Sequence, residues 1–255
     1  MTFARLGFVS MGVAMLALGA SFAFNLPWAV NFWPWPDGRL SFLFVGSVLA
    51  GLGSGALYVG VTQEWRAAIG GGLTFLAGAT AIALSLLVLA RDRPVAPGFI
   101  VSFLALAALA LPLLYFARRE RALDARPLPP LVRYSCWLFA AALAAAAAAL
   151  ILRAPHVFPW PLKPETALLY GWMFVGLALN YTYVAARGTW ADGKVSLIAF
   201  LVYDLVLIGP FVRHFAVVRP EHLPSLTVYT AVLVYSAALA AAFLFIDRRT
   251  RLRFG

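Results

Sequence analysis

Asp204 lies in the middle of an otherwise apolar stretch, LIAFLVYDLVLIGP, and is the one acid or base that the sequence places near the centre of a membrane span. A central Asp costs roughly 2.5–3.5 kcal/mol on insertion scales, so such residues face a bundle interior or a water path rather than lipid. Apolar surroundings favour the neutral form of a carboxyl group, and that form can exchange protons. Asn180 falls on the preceding span with Tyr181, Thr182 and Tyr183 beside it, and this group is placed to hydrogen-bond the carboxyl. Asp204, Asn180, Tyr203 and Tyr183 are therefore the candidate transport or proton-site residues. The alternative is a protonated Asp204 that bonds Asn180 or a backbone carbonyl and locks two helices together.

Other chemistry is thinly represented. His156, His214 and His222 fall at one end of the spans, where the fold could bring them together around a metal or a haem, or as a pH sensor. None pairs with another at i, i+4 spacing, and no Cys or carboxylate sits beside them in a ligand pattern. No metal site and no cofactor is expected. The chain has one cysteine, Cys136, so it has no intrachain disulfide. No phosphate-binding glycine loop, HExxH helix or Gly-x-Ser-x-Gly elbow is present. Lys163 and Lys194 fall in loops or at a helix end, which argues against a Schiff base inside the membrane.

The elements that position these residues are membrane spans. Hydrophobic residues make up 63% and charged residues 12% of the 255, against about 45–50% and 25% in soluble domains. Eight stretches meet the requirement of roughly 20 apolar residues per crossing, near 6–24, 41–62, 66–90, 98–117, 132–152, 165–187, 194–213 and 225–246. The net charge of +10 arises from 18 Arg and 2 Lys against 10 acids, with the basic residues at span ends. That placement points to the bilayer and away from nucleic acid. Thirteen basic residues fall on the side holding the N-terminus and seven on the other, so both termini are expected in the cytoplasm. Met1–Ala23 has some features of a signal peptide, with Arg5 before an apolar run. Its place in an internal repeat argues for its retention.

That repeat is the strongest organisational signal. Shifted by 125 residues, Pro34, Trp35, Pro36, Leu43, Gly46, Gly51, Tyr58, Val59 and Trp65 fall on Pro159, Trp160, Pro161, Leu168, Gly171, Gly176, Tyr183, Val184 and Trp190. Arg93-Pro94 answers Arg219-Pro220, and LYFARR (114–119) answers LFIDRR (244–249). The expected fold is an all-α integral membrane protein of eight transmembrane helices in two four-helix repeats, 1–125 and 126–255. Four is even, so the copies share one orientation, as in transporters whose sites lie between parallel halves. Duplication is also a simple way to build a larger bundle.

Two further motifs concern architecture. The runs Trp33-Pro34-Trp35-Pro36 and Phe158-Pro159-Trp160-Pro161 precede the second span of each unit. Indole rings favour the membrane interface and proline stops helices, so both runs read as interfacial corners; a gate or partner-docking ridge is the other reading. Trp65, Trp137 and Trp190 would form a matching belt on the opposite side. Ser47, Gly51 and Gly55 on the second span, and Gly70, Thr74 and Gly78 on the third, form small-residue faces for close helix packing. In the second unit Asn180 replaces Gly55, Trp172 replaces Ser47, and Asp204 stands where the first unit has Ala79. Any site is therefore expected to be asymmetric.

The run Phe158–Pro164 (FPWPLKP) and the helix start Leu169–Gly176 resemble a group of bacterial multi-span membrane proteins carrying an FPWPLxP-type motif, a group with no established activity. The resemblance covers about thirty residues per unit and implies architecture alone. An arginine-rich, lysine-poor membrane chain fits a bacterial inner membrane. The first functional expectation is a transporter-like protein for a small solute or lipid-related molecule, proton-linked through Asp204. A membrane scaffold or accessory subunit is second, and a membrane-embedded enzyme third. The expected partners are the lipid bilayer and either a second copy or another membrane protein.

Overall fold

The computed structural model describes residues 2–92 and 95–252. Met1, Arg93, Pro94 and Arg253, which contribute to the signal-peptide reading, the repeat and the arginine tally above, lie outside the described residues.

Eight helices are long and apolar enough to cross a membrane: α1 (Phe3–Ala23), α2 (Arg39–Thr62), α3 (Trp65–Leu89), α4 (Pro97–Ala117), α5 (Pro130–Ile151), α6 (Pro164–Arg187), α7 (Trp190–His214) and α8 (Pro220–Ile246). The chain is thus an integral, polytopic membrane protein. Among the described residues there is no strand, only an isolated bridge between Pro127 and Thr189. Helices α4 to α7 begin before the apolar stretches because their first turns are set by proline or by a cap. Pro97, Pro130 and Pro164 occupy the first turn of α4, α5 and α6, where the missing N–H has no intrahelical partner to lose. Thr189 caps α7, and the Asp192 side chain accepts hydrogen bonds from the Thr189 backbone N–H and hydroxyl.

Packing runs along two chains of neighbours, α1–α2–α7–α8 and α4–α3–α6–α5. Replacing each helix by the one four places along exchanges these two rows. The bundle centre is formed by α2, α3, α6 and α7; α1, α4, α5 and α8 lie at the row ends. The π-helical turn Phe75–Ala79 in α3 falls, shifted by 125 residues, on Phe200–Asp204 of α7.

Glycine decides how closely the rows pack. The α1/α2 contact uses Gly12 and Gly19 against Gly46, Gly53 and Gly60, and a Cβ at any of these five would stand 2.6–2.9 Å from an atom of the other helix. These positions are spaced by seven, a face distinct from the one carrying Gly51 and Gly55. The latter pair turns to α7, with Gly51 against Ala199 and Gly55 against Val195. Gly70 and Gly78 of α3 face α6, meeting Asn180 and the Trp172–Gly176 backbone. Ser47 is fully buried and spends its hydroxyl on the Phe44 carbonyl at 2.7 Å.

Candidate functional site: a lateral cavity ending at Asp204

Close packing at Gly51 and Gly176 brings α7 and α6 into the centre and leaves space beyond them, in the second half of the chain. A cavity of about 440 Å³ lies among α5, α6, α7 and α8, with α2 closing its inner side. Its walls are mainly aromatic and aliphatic: Phe139 from α5, Phe174 from α6, Phe200 and Tyr203 from α7, and Tyr229 from α8. Its rim includes Ala142 of α5 and Val228 and Val232 of α8, all exposed on the outside of the bundle. The cavity therefore opens sideways, toward the lipid-facing surface between α5 and α8. In the first half, the side chains of Phe22, Trp33, Trp35, Phe99 and Phe103 pack edge to edge at the same end of the bundle.

Asp204 lines this cavity. It lies fourteen residues from the start of α7 and ten from its end, and it has no solvent exposure. Neither carboxyl oxygen has a hydrogen-bond partner. Ser236 of α8 lines the same cavity, but its hydroxyl donates to the Val232 and Leu233 carbonyls at 2.8 and 3.2 Å. The neighbouring phenols pair with each other, Tyr203 Oη to Tyr229 Oη at 2.6 Å, and so join α7 to α8. An acid that is buried, unpartnered and set in an aromatic wall is costly unless it is neutral or meets a complementary charge.

The four candidate residues do not form one cluster. Asp204 and Tyr203 share the cavity. Asn180 does not reach it: its Oδ1 lies over Gly70, where an added Cβ would be 1.9 Å away. The expected Asn180–Asp204 hydrogen bond is thus absent, because the missing side chain at Gly70 leaves the space that draws Asn180 toward α3. Tyr183 packs toward the arginine-rich end with Trp65 and Leu113, and its hydroxyl is buried without a partner. Tyr181, one residue after Asn180, is the α6 phenol that lines the Asp204 cavity, and its ring stacks on Phe200 at 4.7 Å and 5°.

A second, smaller cavity of about 80 Å³ lies between α2, α3, α6 and α7, toward the arginine-rich end. Asn180, Asp192 and Ser196 line it, and Asp192 Oδ1 is buried without a partner. Five residues line both cavities: Gly51, Leu52, Leu177, Tyr181 and Ala199. A single wall of side chains therefore separates a large compartment open to lipid from a small one beside buried polar groups. Leu52 and Leu177 in that wall are related by the 125-residue shift.

At the opposite end the aromatic corners reach further inward than interfacial anchors would. Trp33, Phe158 and Trp160 belong to the buried core, and Trp190 at the arginine-rich end is 1% exposed. Of the expected belt there, Trp137 is exposed and Trp65 half-buried. The proline corners turn the rings back onto the bundle, where their N–H groups find partners. Trp33 Nε1 donates to Asp37 at 2.7 Å and Trp160 Nε1 to Ser41 Oγ at 2.9 Å. Thr166 also donates to Asp37 at 2.6 Å, and Tyr170 Oη to the Ser41 carbonyl at 3.0 Å, so a polar seam ties the two halves here. Two of the three histidines meet: His156 and His222 have ring centroids 5.0 Å apart. His222 and His214 bond the Phe158 and Pro159 carbonyls at 2.8 and 3.2 Å. Among the described residues no group of three or more His, Cys, Asp or Glu is arranged to hold a metal.

The arginine-rich end carries a polar clamp that no motif or spacing in the chain announces. Glu64, between α2 and α3, accepts the backbone N–H groups of Leu123 and Asp124 at 2.9 and 3.2 Å. Burial pushes its carboxyl above the ordinary range, opposed by those two bonds. Asp124 in the linker pairs with Arg126 and with Lys194 of α7, each at 2.7 Å. The Arg126 hydrogen bond, then that of Lys194, holds the Asp124 carboxyl well below the usual range against a burial effect of opposite sign. Arg126 in turn donates to the Arg249 carbonyl. Four segments distant in sequence meet here without any periodic pattern to announce them.

Comparison with known protein families, with characterised proteins and with solved structures finds no match to this chain.

Proposed function

We propose that this membrane protein is transporter-like, binding a small lipid-related or apolar solute in the lateral cavity and linking its movement to protonation of Asp204. The observation that carries this reading is the cavity itself, which is open toward lipid at one side and lined by an unpartnered central carboxyl group. A scaffold would need a sealed core and would have no use for a central acid that joins nothing. The second cavity, across one wall of side chains, supports a path with two compartments; movement of Tyr181 and the Leu52–Leu177 pair would connect them. The exchange of helix neighbours between the two rows supports two four-helix repeats, 1–125 and 126–255, related by an axis along the membrane normal. Asp204 facing Ala79 across that relationship makes the site one-sided. The arginine distribution supports a bacterial inner membrane with both termini in the cytoplasm.

The test is solute-dependent proton movement in proteoliposomes carrying an internal pH dye. A panel of apolar and amphiphilic solutes is added under an imposed pH gradient. Wild type is expected to pass protons with at least one solute, and Asp204→Asn with none. Identical traces for the two proteins would remove proton linkage from the account.

A further inference from the structure

The lateral cavity also carries information about what occupies it. Three features coincide there. The walls are aromatic, with Phe139, Phe174 and Phe200 beside the phenols of Tyr181, Tyr203 and Tyr229. Among the described residues, Asp204 is the one acid in those walls and no Lys, Arg or His lines the cavity; both Asp204 oxygens are unpartnered and without solvent exposure. The mouth faces lipid through Ala142, Val228 and Val232.

Each feature selects against a class of ligand. A lipid-facing mouth with apolar walls excludes strongly hydrated solutes, which would lose their water without recovering hydrogen bonds. Ionising Asp204 in a low-dielectric wall requires a complementary charge, so a cation is favoured there and an anion finds no partner. Ring faces attract cations whose charge is spread over carbon, and do so most strongly where water is excluded. We propose that the cavity binds an apolar organic cation, a lipophilic amine or quaternary onium ion, that enters from the bilayer between α5 and α8 and is held by the aromatic walls and the negative charge of Asp204. This deepens the transport reading by naming its substrate class, yet it concerns binding alone and is tested without transport.

Tetraphenylphosphonium and tetraphenylborate are suitable probes, since they match in shape and differ in the sign of their charge. Binding of each to the purified full-length protein in neutral detergent is measured by equilibrium dialysis. The expected result is saturable binding of tetraphenylphosphonium, roughly tenfold or more tighter than tetraphenylborate. Asp204→Asn should erase that preference, and Ala146→Trp, which fills the cavity, should abolish binding of the cation. Equal binding of the two ions, preference for the anion, no cation binding, or a preference that survives Asp204→Asn would each overturn the proposal. If Asp204→Asn fails to fold, the comparison of the two ions on wild type still decides. The two readings separate cleanly. A protein that binds the cation but moves neither cation nor protons in liposomes keeps this inference and loses transport. One that passes protons with a neutral solute and ignores the cation does the reverse.

Discussion

The backbones of Gly176 and Thr74 lie in direct contact across the centre of the bundle: a Cβ on Gly176 would stand 2.6 Å from the Thr74 carbonyl oxygen, and the Thr74 hydroxyl donates to the Gly176 carbonyl at 3.2 Å. The same contact occurs again between Gly51 and Ala199, where a Cβ would stand 2.9 Å from the Ala199 carbonyl oxygen. Both members of one pair become the members of the other when 125 is added or subtracted. The residue after Thr74 by four, Gly78, likewise answers Tyr203, the next contact of Gly51.

This contact is rigid on both sides, because the colliding atoms are backbone. Gly51→Ala and Gly176→Ala are each expected to destabilise the protein by about 1–3 kcal/mol through overpacking. Gly209→Ala on α7, which has nothing within 4 Å of the new methyl, should leave stability unchanged. Thermal unfolding of the three variants in one detergent checks the prediction, and equal melting temperatures would contradict it.

Asp204 is expected to contribute little to stability. A carboxyl group that locked two helices would lose about 1–3 kcal/mol on removal. Because neither oxygen has a partner, Asp204→Leu should unfold at or above the wild-type temperature. A clear loss of stability in that variant would assign the residue to helix packing.

The linker clamp predicts a pH-dependent effect. The Asp124 carboxyl is held below its ordinary range by Arg126 and Lys194. A depressed folded value means that its stabilisation is present above the unfolded value, near 4, and is lost as pH falls toward the folded one. Asp124→Asn should therefore be less stable than wild type at neutral pH, with the gap closing below about pH 4. Glu64, raised by burial, has the opposite sign and does not mimic this behaviour. Melting temperatures of the two proteins across pH 3–8 would show a constant gap if Asp124 played no such part.

The seam at the other end rests on Asp37, which accepts from Trp33 and from Thr166 of the second half. Asp37→Ala leaves the fully buried Thr166 hydroxyl and the Trp33 N–H without that acceptor. A cost of about 1–3 kcal/mol is expected, read by thermal unfolding. Trp33→Phe should cost less, since Thr166 keeps its bond.

Much of the scaffold was legible in the residues. The eight spans follow from apolar length, and α4 to α7 begin before them where proline or the Thr189 cap sets the first turn. Gly51, Gly55, Gly70 and Gly78 were readable as packing faces because small residues spaced by four lie on one side of a helix. The α1/α2 face escaped because its glycines are spaced by seven, across Gly12, Gly19, Gly46, Gly53 and Gly60. Asp204 was visible as a lone central acid, yet its neighbours were not. Periodicity places Asn180 and Tyr181 on adjacent faces of α6, and nothing in the chain says that the empty side of Gly70 draws Asn180 away and leaves Tyr181 at the cavity. The aromatic corners misled for a related reason. Tryptophan types alone suggest the interface, whereas Ser41 and Asp37 supply the acceptors that let Trp160 and Trp33 be buried. The clamp of Glu64, Asp124 and Arg126 with Lys194 of α7 joins residues too far apart in the chain for any local signal.

The transport reading depends on a proton that Asp204 can take up and release while it lines the lateral cavity. Infrared difference spectroscopy of the purified protein, comparing wild type with Asp204→Asn in H₂O and D₂O, measures this directly. If Asp204 takes up and releases a proton, a carboxyl band is missing in the variant, responds to bulk pH and shifts in D₂O. A band that ignores bulk pH and fails to shift would contradict that reading, and would leave Asp204 as a sealed group with no part in transport.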